Sequence, residues 1–494
     1  MQSVTRSPRR VMGTVVDKTE GNVAYTENGA LTNASTTNKV LDLFFAAGSC
    51  RTRPDSDIVE MVDAAATQDL GLTLKLVFWA RDVLKGAGER RFFRLALARL
   101  VEKYPDELAL IVPVVPDFGR WDDMLVFMNT PLEQRAIAVM ADAFNAGNAL
   151  MVKWLPQRGP VVNKLAKVLG FSGNPKGFRQ KRVAINRVVE TAMSEKRFGD
   201  INYSQVPGQA MKKYRKAFAR QDKERFSEYV AALVKGDKTV KINAKAVYPY
   251  QILHAIRHAG SKDEINLLDQ QWRALPDFMA GSTKRAFVML DTSGSMESLF
   301  NAKYGSTQIS PLTVGVSLAI YMAERNHGPF KDAFLTFSTK PQLAQLRGAN
   351  LKEKSDNLDR KNWDMSTDLN AAFKFMLEKA VEFKVPESEM PTMLLVLSDM
   401  EFNAATSGAE TPFDEIRRDY AAAGYALPVL VYWNLAARNK DNHPVIDITP
   451  NTALISGFSP SILQPLLKSD VPRPDMFMRE VLESDRYAPV VLNK

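Results

Sequence analysis

Acidic and hydroxyl side chains follow two apolar runs in the second half of the sequence. The run at 286–290 leads directly into Asp291, and Ser293 and Ser295 stand two and four positions further on. A later apolar run leads into Asp399. Carboxylate and hydroxyl oxygens, with no thiol or imidazole, suit a small hard cation that keeps part of its water shell. These residues therefore predict a site for Mg²⁺ or Mn²⁺ rather than for Zn²⁺.

The elements around these residues predict how they meet. From about residue 280 onward, apolar strand patterns at 286–290, 333–337, 393–398, 427–433 and 453–456 alternate with helical patterns at 312–325 and 368–383. Such alternation is typical of a doubly wound α/β domain with a mostly parallel sheet, in which ligands bind at the carboxyl ends of the strands. Thr367 stands at the head of one predicted helix and adds a hydroxyl. The alternative is an ordinary Asp/Ser/Gly turn at 291–295.

The first half of the chain is predicted to be helical. Short amphipathic patterns follow one another, and no alternating strand pattern occurs before about residue 280. Helix pairs of this kind are typical of a curved, HEAT-like α-solenoid that could form a ring. The predicted domains are a flexible arm (1–34), a helical repeat domain (35–275), the α/β domain (280–470) and a C-terminal tail (471–494). The stretch 348–362, rich in Lys, Asp and Asn, predicts a surface loop.

Positive charge is concentrated in one segment. The formal net charge is +9, but residues 153–245 hold 22 Lys and Arg against 7 Asp and Glu, so the remaining chain is at −6. Aromatic residues are interleaved with these charges. This pattern favours a phosphate-backbone partner with some unpaired bases. The alternative is a solvated helix face above ordinary core aromatics.

Catalysis and membrane insertion find little support in the composition. One cysteine and four histidines leave almost no material for a Cys-His or Ser-His-Asp arrangement, and His254 and His258 read as a surface or interhelix pair. The lone Cys50 fits a reducing compartment. No apolar run approaches the roughly 20 residues that span a bilayer. We therefore expect a cytoplasmic binding protein that is not an enzyme and does not enter a membrane.

The order Asp-x-Ser-x-Ser, then Thr, then Asp resembles the metal-ion-dependent adhesion site of the von Willebrand factor A family. The resemblance implies that Asp291, Ser293, Ser295 and Thr367 hold Mg²⁺ or Mn²⁺, directly or through water, and that Asp399 supports it. It also implies that an acidic group of a protein partner fills the remaining coordination position.

A second motif, Arg-Asp-Val-x-Lys-Gly-x-Gly-Glu-Arg at 81–90, together with this domain resembles the TROVE family of Ro ribonucleoproteins, and 398–402 is similar to related phage and plant proteins. The resemblance implies a helical ring closed by the A domain, with basic surfaces that bind structured or misfolded noncoding RNA. The helical half is shorter than in Ro proteins. The alternative is a structural role for the motif, in which its charged side chains bridge neighbouring helices. The phosphate-facing candidates are Lys164, Lys167, Arg179, Lys181, Arg182, Lys212, Lys213, Arg215 and Lys216.

Two hypotheses of different classes follow. The first is a Ro-like RNA-binding ribonucleoprotein component whose A domain closes the ring or recruits a partner. The alternative is a metal-dependent protein-protein assembly factor, or scaffold, without specific RNA binding. The sequence does not determine the oligomeric state.

Overall fold

The described chain forms two compact units, each built from separated segments. A computed structural model describes residues 21–298, 309–337, 340–358, 363, 368–402 and 419–493. The first unit, here the sheet unit, consists of the described residues up to 72 together with 248–257 and 277–482. The second, here the helical unit, consists of 73–247, 258–276 and the described residues from 483 onward. These units divide the chain differently from the predicted domains.

Helices dominate the described chain before residue 275, as predicted. In chain order they are α1 (Lys39–Ala47), α2 (Asp55–Gln68), α3 (Leu70–Arg81), α4 (Arg90–Lys103), α5 (Val115–Phe118), α6 (Glu133–Asn145), α7 (Ala149–Trp154), α8 (Pro160–Val168), α9 (Pro175–Ile185), α10 (Val189–Ser194), α11 (Gly208–Gln221), α12 (Lys223–Lys235), α13 (Pro249–Arg257) and α14 (Lys262–Arg273). Later helices are α15 (Pro311–Arg325), α16 (Leu351–Asn357), α17 (Leu369–Glu382), α18 (Leu463–Lys468) and α19 (Pro474–Leu482). None of the helices described is long and apolar enough to cross a membrane.

The strands form a two-stranded hairpin and a six-stranded sheet, both in the sheet unit. They are β1 (Val23–Tyr25), β2 (Leu31–Asn33), β3 (Ala286–Asp291), β4 (Ala333–Phe337), β5 (Gln342–Gln345), β6 (Met393–Ser398), β7 (Val429–Asn434) and β8 (Thr452–Ser456). The large sheet has the order β5-β4-β3-β6-β7-β8. Its pairs are parallel except for the antiparallel pair β4–β5. The predicted mostly parallel sheet is thereby confirmed.

Helices cover both faces of this sheet because its central strands are apolar on both sides. All six residues of β3 and of β6 are buried, which is the pattern of a parallel strand that is covered on both faces. Helix α15 packs on β3 and β4, and α1 packs on β8. The Ser456 hydroxyl on β8 fixes α1 by donating to the Phe44 carbonyl at 2.8 Å and accepting from the Gly48 amide at 2.9 Å.

Two local predictions differ from the structure. The predicted loop 348–362 contains α16, because the Asn350 side chain accepts from the Glu353 amide at 2.9 Å while Leu351 and Ser355 bury one face. The hairpin β1–β2 lies within the segment that was predicted to be a flexible arm and before the first predicted strand. The hairpin is hydrogen-bonded to residues 401–402 and 443, which lie 374 to 411 positions later in the sequence. A local sequence pattern does not reveal such partners.

Candidate functional site

The carboxyl edge of the sheet brings Asp291 and Asp399 to neighbouring strands. Strands β3 and β6 are parallel, with Leu290 opposite Leu397, so Asp291 lies opposite Ser398. The Ser398 hydroxyl donates to Asp291 Oδ2 at 2.6 Å. Asp291 is fully buried and Asp399 is 2% exposed. Two buried carboxyl groups therefore meet at one end of the sheet.

The loop after β3 adds the two predicted serines. The Ser293 amide donates to Asp291 Oδ1 at 2.8 Å, and the Ser293 and Ser295 hydroxyls lie 3.0 Å apart. One turn of 3₁₀ helix, Gly294–Glu297, follows Ser293 and fixes this arrangement. The structure thus gathers Asp291, Ser293, Ser295 and Asp399. Thr367, the fifth predicted ligand, lies outside the described residues, although the neighbouring Asp368 caps α17 by accepting from the Ala371 amide at 2.9 Å.

Burial makes both carboxyl groups harder to ionise, and for Asp291 the neighbouring charge adds to the effect. Burial is the main cause that raises the pKa of Asp291, and the charge of Asp399 raises it further, against hydrogen bonds from Ser398 and Ser293. Burial also raises the pKa of Asp399, although the Ser295 hydroxyl and the Arg438 guanidinium act in the opposite direction. A cation at this edge would remove the repulsion.

The donor set fits a small hard cation. By strict hydrogen-bond geometry, the buried Asp399 Oδ2 has no partner within the described part of the chain. No cluster of three or more His, Cys, Asp or Glu side chains that could hold a metal ion occurs among the residues described. A metal at this edge would therefore depend on the serine hydroxyls and water as well as on the two carboxylates, which is a donor set typical of Mg²⁺ or Mn²⁺.

Arg438 is a site residue that the sequence analysis missed. It follows β7 and donates from Nη2 to the Ser295 carbonyl, while its Nε lies 3.8 Å from Asp399 Oδ2. The guanidinium thus contributes positive charge to the acidic pair. No motif marks this arginine, because only the sheet order brings the end of β7 beside the end of β6.

The β1–β2 hairpin adds further acidic groups at the same edge. Its turn is held by the Glu27 amide, which donates to Glu401 Oε2 at 2.7 Å, and by the Thr26 hydroxyl, which donates to the Phe402 carbonyl at 2.7 Å. The other oxygen of Glu401 accepts from Asn442 Nδ2 at 3.1 Å. The Glu27 charge raises the pKa of Asp399 and of Glu401, although burial is the larger cause for both. Glu27 and Glu401 therefore face the same edge as the predicted metal ligands.

In the helical unit, the charged motif after α3 is engaged in internal contacts. Arg81 Nε donates to Asp123 Oδ2 at 2.8 Å, and Arg94 Nε donates to Asp123 Oδ1 at 2.7 Å. Arg486 Nε donates to Asp82 Oδ2 at 2.7 Å. Arg81, Asp82 and Asp123 are buried. These contacts agree with the structural interpretation of the motif, in which its charges connect neighbouring segments.

Gly86 in this motif offers a direct test of that structural role. A Cβ at position 86 would lie 1.9 Å from the Trp79 carbonyl oxygen. We expect Gly86→Ala to lower the free energy of unfolding by about 1–3 kcal/mol, because the backbone of α3 must shift. Urea unfolding followed by circular dichroism measures this. Gly199→Ala is the control, since a Cβ there meets nothing within 4 Å, and equal losses in the two variants would contradict the prediction.

Several predicted RNA-contacting side chains are already engaged within the helical unit. Lys164 pairs with Glu133, and Arg215 donates to Glu264 at 2.8 Å. Arg182 donates to the carbonyls of residues 155–157. Lys216 lies 3.9 Å from Glu264, and Lys212 is half-buried. A phosphate contact by these five would compete with internal interactions or require exposure of the side chain, and their role in RNA binding stays a prediction.

Lys167, Arg179, Lys181 and Lys213 are predicted cations that are exposed and have no carboxylate partner among the residues described. No ion pair involving any of the four occurs in the described part of the chain.

Four aromatic residues of the basic segment 153–245 belong to a hydrophobic core: Tyr203, Phe218, Phe226 and Tyr229. The Tyr203 ring packs edge-on against Phe218, with ring centroids 5.3 Å apart, and against Phe226, with centroids 5.0 Å apart. Their interleaving with charge reflects a hydrophobic core rather than base contacts.

A cleft between α7, α8 and α9 collects exposed cations beside an aromatic ring. Its volume is about 610 Å³, and the residues that line it include Arg158, Lys167, Phe171, Arg179 and Asn186. We name this the basic cleft. Arg158 was not among the predicted RNA contacts; its position in the loop before α8 gave no local signal.

Two family models match the chain, and both carry the description of a domain of unknown function. DUF2828 matches residues 26–146 and 179–284, and DUF7788 matches residues 285–486. An uncharacterized protein of Acanthamoeba polyphaga mimivirus is 25% identical over 527 residues, which cover 96% of this chain and 89% of the viral protein.

Among solved structures, the Ro (RSR) protein of Deinococcus radiodurans is similar over 93% of this chain and 97% of that protein. The TM-score is 0.41 and the sequence identity is 12%. Both values are low, and the similarity by itself says nothing about what this chain binds.

Proposed function

We propose that this chain is a non-catalytic RNA-binding protein of Ro-like design. Its helical unit, a HEAT-like array, holds structured or misfolded noncoding RNA. Its sheet unit, a von Willebrand factor A-like domain, carries an adhesion-type site for Mg²⁺ or Mn²⁺. The observation that carries the proposal is the set of exposed cations on the helical unit, Lys167, Arg179, Lys181 and Lys213, to which Arg158 in the basic cleft is added.

The charge of the helical unit supports a polyanion as the ligand. Residues 153–245 carry a surplus of 15 positive charges. Pairs with acidic residues outside this segment, such as Lys164 with Glu133 and Arg215 with Glu264, neutralise only part of it. Exposed cations without a carboxylate partner repel one another, and a phosphate backbone that binds them releases counterions and relieves the repulsion.

The sheet unit would bind a cation through Asp291, Ser293, Ser295 and Asp399, with Thr367 as a further predicted ligand. The buried, repelling carboxyl pair supports this assignment. A bound Mg²⁺ supplies a Lewis acid that accepts the carboxylate of a protein partner. The Arg438 guanidinium would then hold both Asp399 and the Ser295 carbonyl in place.

The surroundings of the metal site support binding rather than catalysis. Both oxygens of Glu401 are engaged, one with the Glu27 amide and one with Asn442. Asp368 caps α17. Glu401 and Asp368, two acidic side chains close to the metal loops in sequence, thus have structural partners that a general base would have to give up.

A metal-dependent assembly factor without specific RNA binding is the second candidate. It is favoured by the buried Asp399 Oδ2, which has no hydrogen-bond partner in the described ranges and would be satisfied by an ion that in turn binds an acidic partner. This candidate predicts a protein complex that dissociates on chelation and contains no RNA.

The first test is RNA affinity as a function of salt. We expect the triple variant Lys167→Gln, Lys181→Gln, Lys213→Gln to bind structured RNA more weakly. The slope of log affinity against log salt should fall by about 2 to 3, because each lost phosphate contact removes about 0.7 to 0.9. Fluorescence anisotropy of labelled RNA from about 50 to 200 mM salt measures this slope.

The matched control removes the same charge from the sheet unit. Arg347, Lys384 and Lys468 are exposed there, and the triple Gln variant should keep the wild-type slope. Wild-type protein that purifies free of nucleic acid and does not shift structured RNA would reject the proposal in favour of the assembly factor.

A further inference from the structure

We propose that the basic cleft binds one unpaired nucleotide of an RNA chain. In this assignment the base stacks on Phe171, its edge meets Asn186, and the flanking phosphates contact Arg158, Lys167 and Arg179. The inference rests on the proposed function and deepens it, because it names the place and the single-stranded form of RNA that the helical unit holds there.

The aromatic wall of the cleft is fixed by packing. Phe178 is buried, and its ring stacks on Phe144 with centroids 5.4 Å apart. Phe171, in the loop between α8 and α9, packs against Phe178 at 5.5 Å and is only half-buried. One ring of this group of three thus remains partly open to the cleft while the others hold it in place. A nucleobase is the natural occupant of such a face, because every base can stack on it.

The charges of the cleft have one sign. Arg158, Lys167 and Arg179 are exposed, no ion pair of theirs occurs in the described ranges, and no acidic residue lines the cleft. By contrast, Arg182 in the same cleft is engaged with the backbone carbonyls of residues 155–157, and burial lowers its pKa. Arg182 therefore shapes the cleft, and the other three cations are available to phosphate oxygens.

A buried acceptor completes the site. Asn186 Oδ1 is buried and has no hydrogen-bond partner in the part of the chain that the structure describes. Leaving such an atom unsatisfied costs stability, so a ligand that donates a hydrogen bond here gains affinity. The exocyclic amine of adenine or cytosine, or the imino group of guanine or uracil, provides that donor.

The size of the cleft separates an unpaired nucleotide from a duplex. A volume of about 610 Å³ lies within the range of pockets that take small ligands. A base inside a helix keeps its faces stacked on its neighbours and its edge paired, so it offers neither to Phe171 nor to Asn186. A duplex would contact the exposed cations alone.

The test compares two labelled RNAs by fluorescence anisotropy on the full-length protein. One is a single-stranded oligoribonucleotide of about six nucleotides, and the other is a blunt RNA duplex made of two complementary strands, which has no unpaired nucleotide. We expect Phe171→Leu, which keeps an apolar side chain in the same packing, to weaken binding of the single strand by roughly 5- to 100-fold. Duplex affinity should change less than about twofold, because duplex contacts are to the backbone.

Charge variants on α9 provide the matched pair. Arg179 lines the cleft, whereas Lys181 lies on the same helix outside it. We expect Arg179→Gln to weaken binding of the single strand more than binding of the duplex, and Lys181→Gln to weaken both equally. A thermal unfolding midpoint of Phe171→Leu equal to that of the wild type shows that the weaker RNA binding of this variant does not result from unfolding.

The outcomes separate the cleft from the function on which it rests. Wild-type protein that binds neither RNA rejects the proposed function together with the cleft. Wild-type protein that binds both RNAs, while Phe171→Leu loses neither or loses both equally, rejects the cleft and leaves RNA binding in place. Poly-glutamate that displaces the single strand as well as unlabelled RNA does would assign the cleft to acidic peptides instead.

Discussion

We expect Asp291→Asn to abolish the stabilisation by Mg²⁺ that is proposed for the wild-type protein, and at the same time to make the metal-free protein more stable. At a concentration of about 100 times the dissociation constant, a bound ion adds about 2.7 kcal/mol to the free energy of unfolding. The variant lacks the ligand and loses this gain. Without metal we expect a gain on the order of 1 kcal/mol at neutral pH, because the buried charge that repels Asp399 is gone.

The same feature predicts the pH dependence of the metal-free protein. The pKa of Asp291 is raised in the folded protein above its ordinary value of 3.8. The folded state therefore holds this proton more tightly than the unfolded state, and stability falls as the pH rises from the ordinary carboxyl pKa through the raised one. Asp291→Asn removes this contribution to the change of the free energy of unfolding with pH.

Thermal and urea unfolding with Mg²⁺ and with a chelator, from about pH 5 to 8, test both statements. Asp470→Asn is the control, because Asp470 is a fully exposed aspartate of the same unit. Equal stabilisation of wild-type and variant protein by Mg²⁺ would place the ion elsewhere. A metal-free variant less stable than wild type would show that the hydrogen bonds to Asp291 outweigh its repulsion with Asp399.

The second large effect concerns Asp123, which holds the helical unit together. It accepts from Arg81 and Arg94, and the Arg120 amide also donates to its Oδ2 at 2.9 Å. Both Arg81 and Asp123 are buried. We expect Asp123→Asn to lower the free energy of unfolding of this unit by about 3–5 kcal/mol, because the guanidinium of Arg81 loses its buried counter-charge.

Hydrogen exchange measures this loss locally: the amides of α3 and α4 should exchange faster in the variant, whereas the amides of the sheet unit should keep their wild-type rates. Glu102→Gln serves as the comparison, because Glu102 pairs with Arg99 at 2.9 Å on α4 but is 69% exposed. Its loss should cost about 1 kcal/mol or less. A similar small cost for both variants would mean that water reaches the Arg81–Asp123 pair.

The fold was predictable where burial leaves a continuous signal in the sequence. Strand β6 is buried at every position and has the predicted bounds, and β3 lies at its predicted place. Strand β5 was missed because its side chains alternate between partly and fully exposed. Helix α16 was missed because it is short and polar, and its cap and two buried residues carry less signal than its charges.

The candidate metal site was predictable because the carboxyl ends of neighbouring parallel strands must meet. Asp291, Ser293, Ser295 and Asp399 lie together as expected. Arg438 and Glu27 were not found, since they reach the edge from segments remote in sequence. The internal ion pairs of the basic candidates could not be predicted for a related reason: Glu133 lies 31 positions from Lys164, and Glu264 lies 49 positions from Arg215, so no local pattern shows these pairs.

The hairpin at 23–33 depends for its hydrogen bonds on residues 401–402 and 442–443, which are synthesised hundreds of residues later. The last described residues, in turn, belong to the helical unit. Because neither unit is contiguous, the sheet unit cannot be completed before residues 277–482 have left the ribosome, nor the helical unit before the described residues from 483 onward have done so. Contacts between such distant segments raise the contact order, so we expect slow folding with slow closure of the longest loops. Until these segments meet, the residues that are synthesised first leave apolar surface exposed, which makes the growing chain a target for chaperones and proteases.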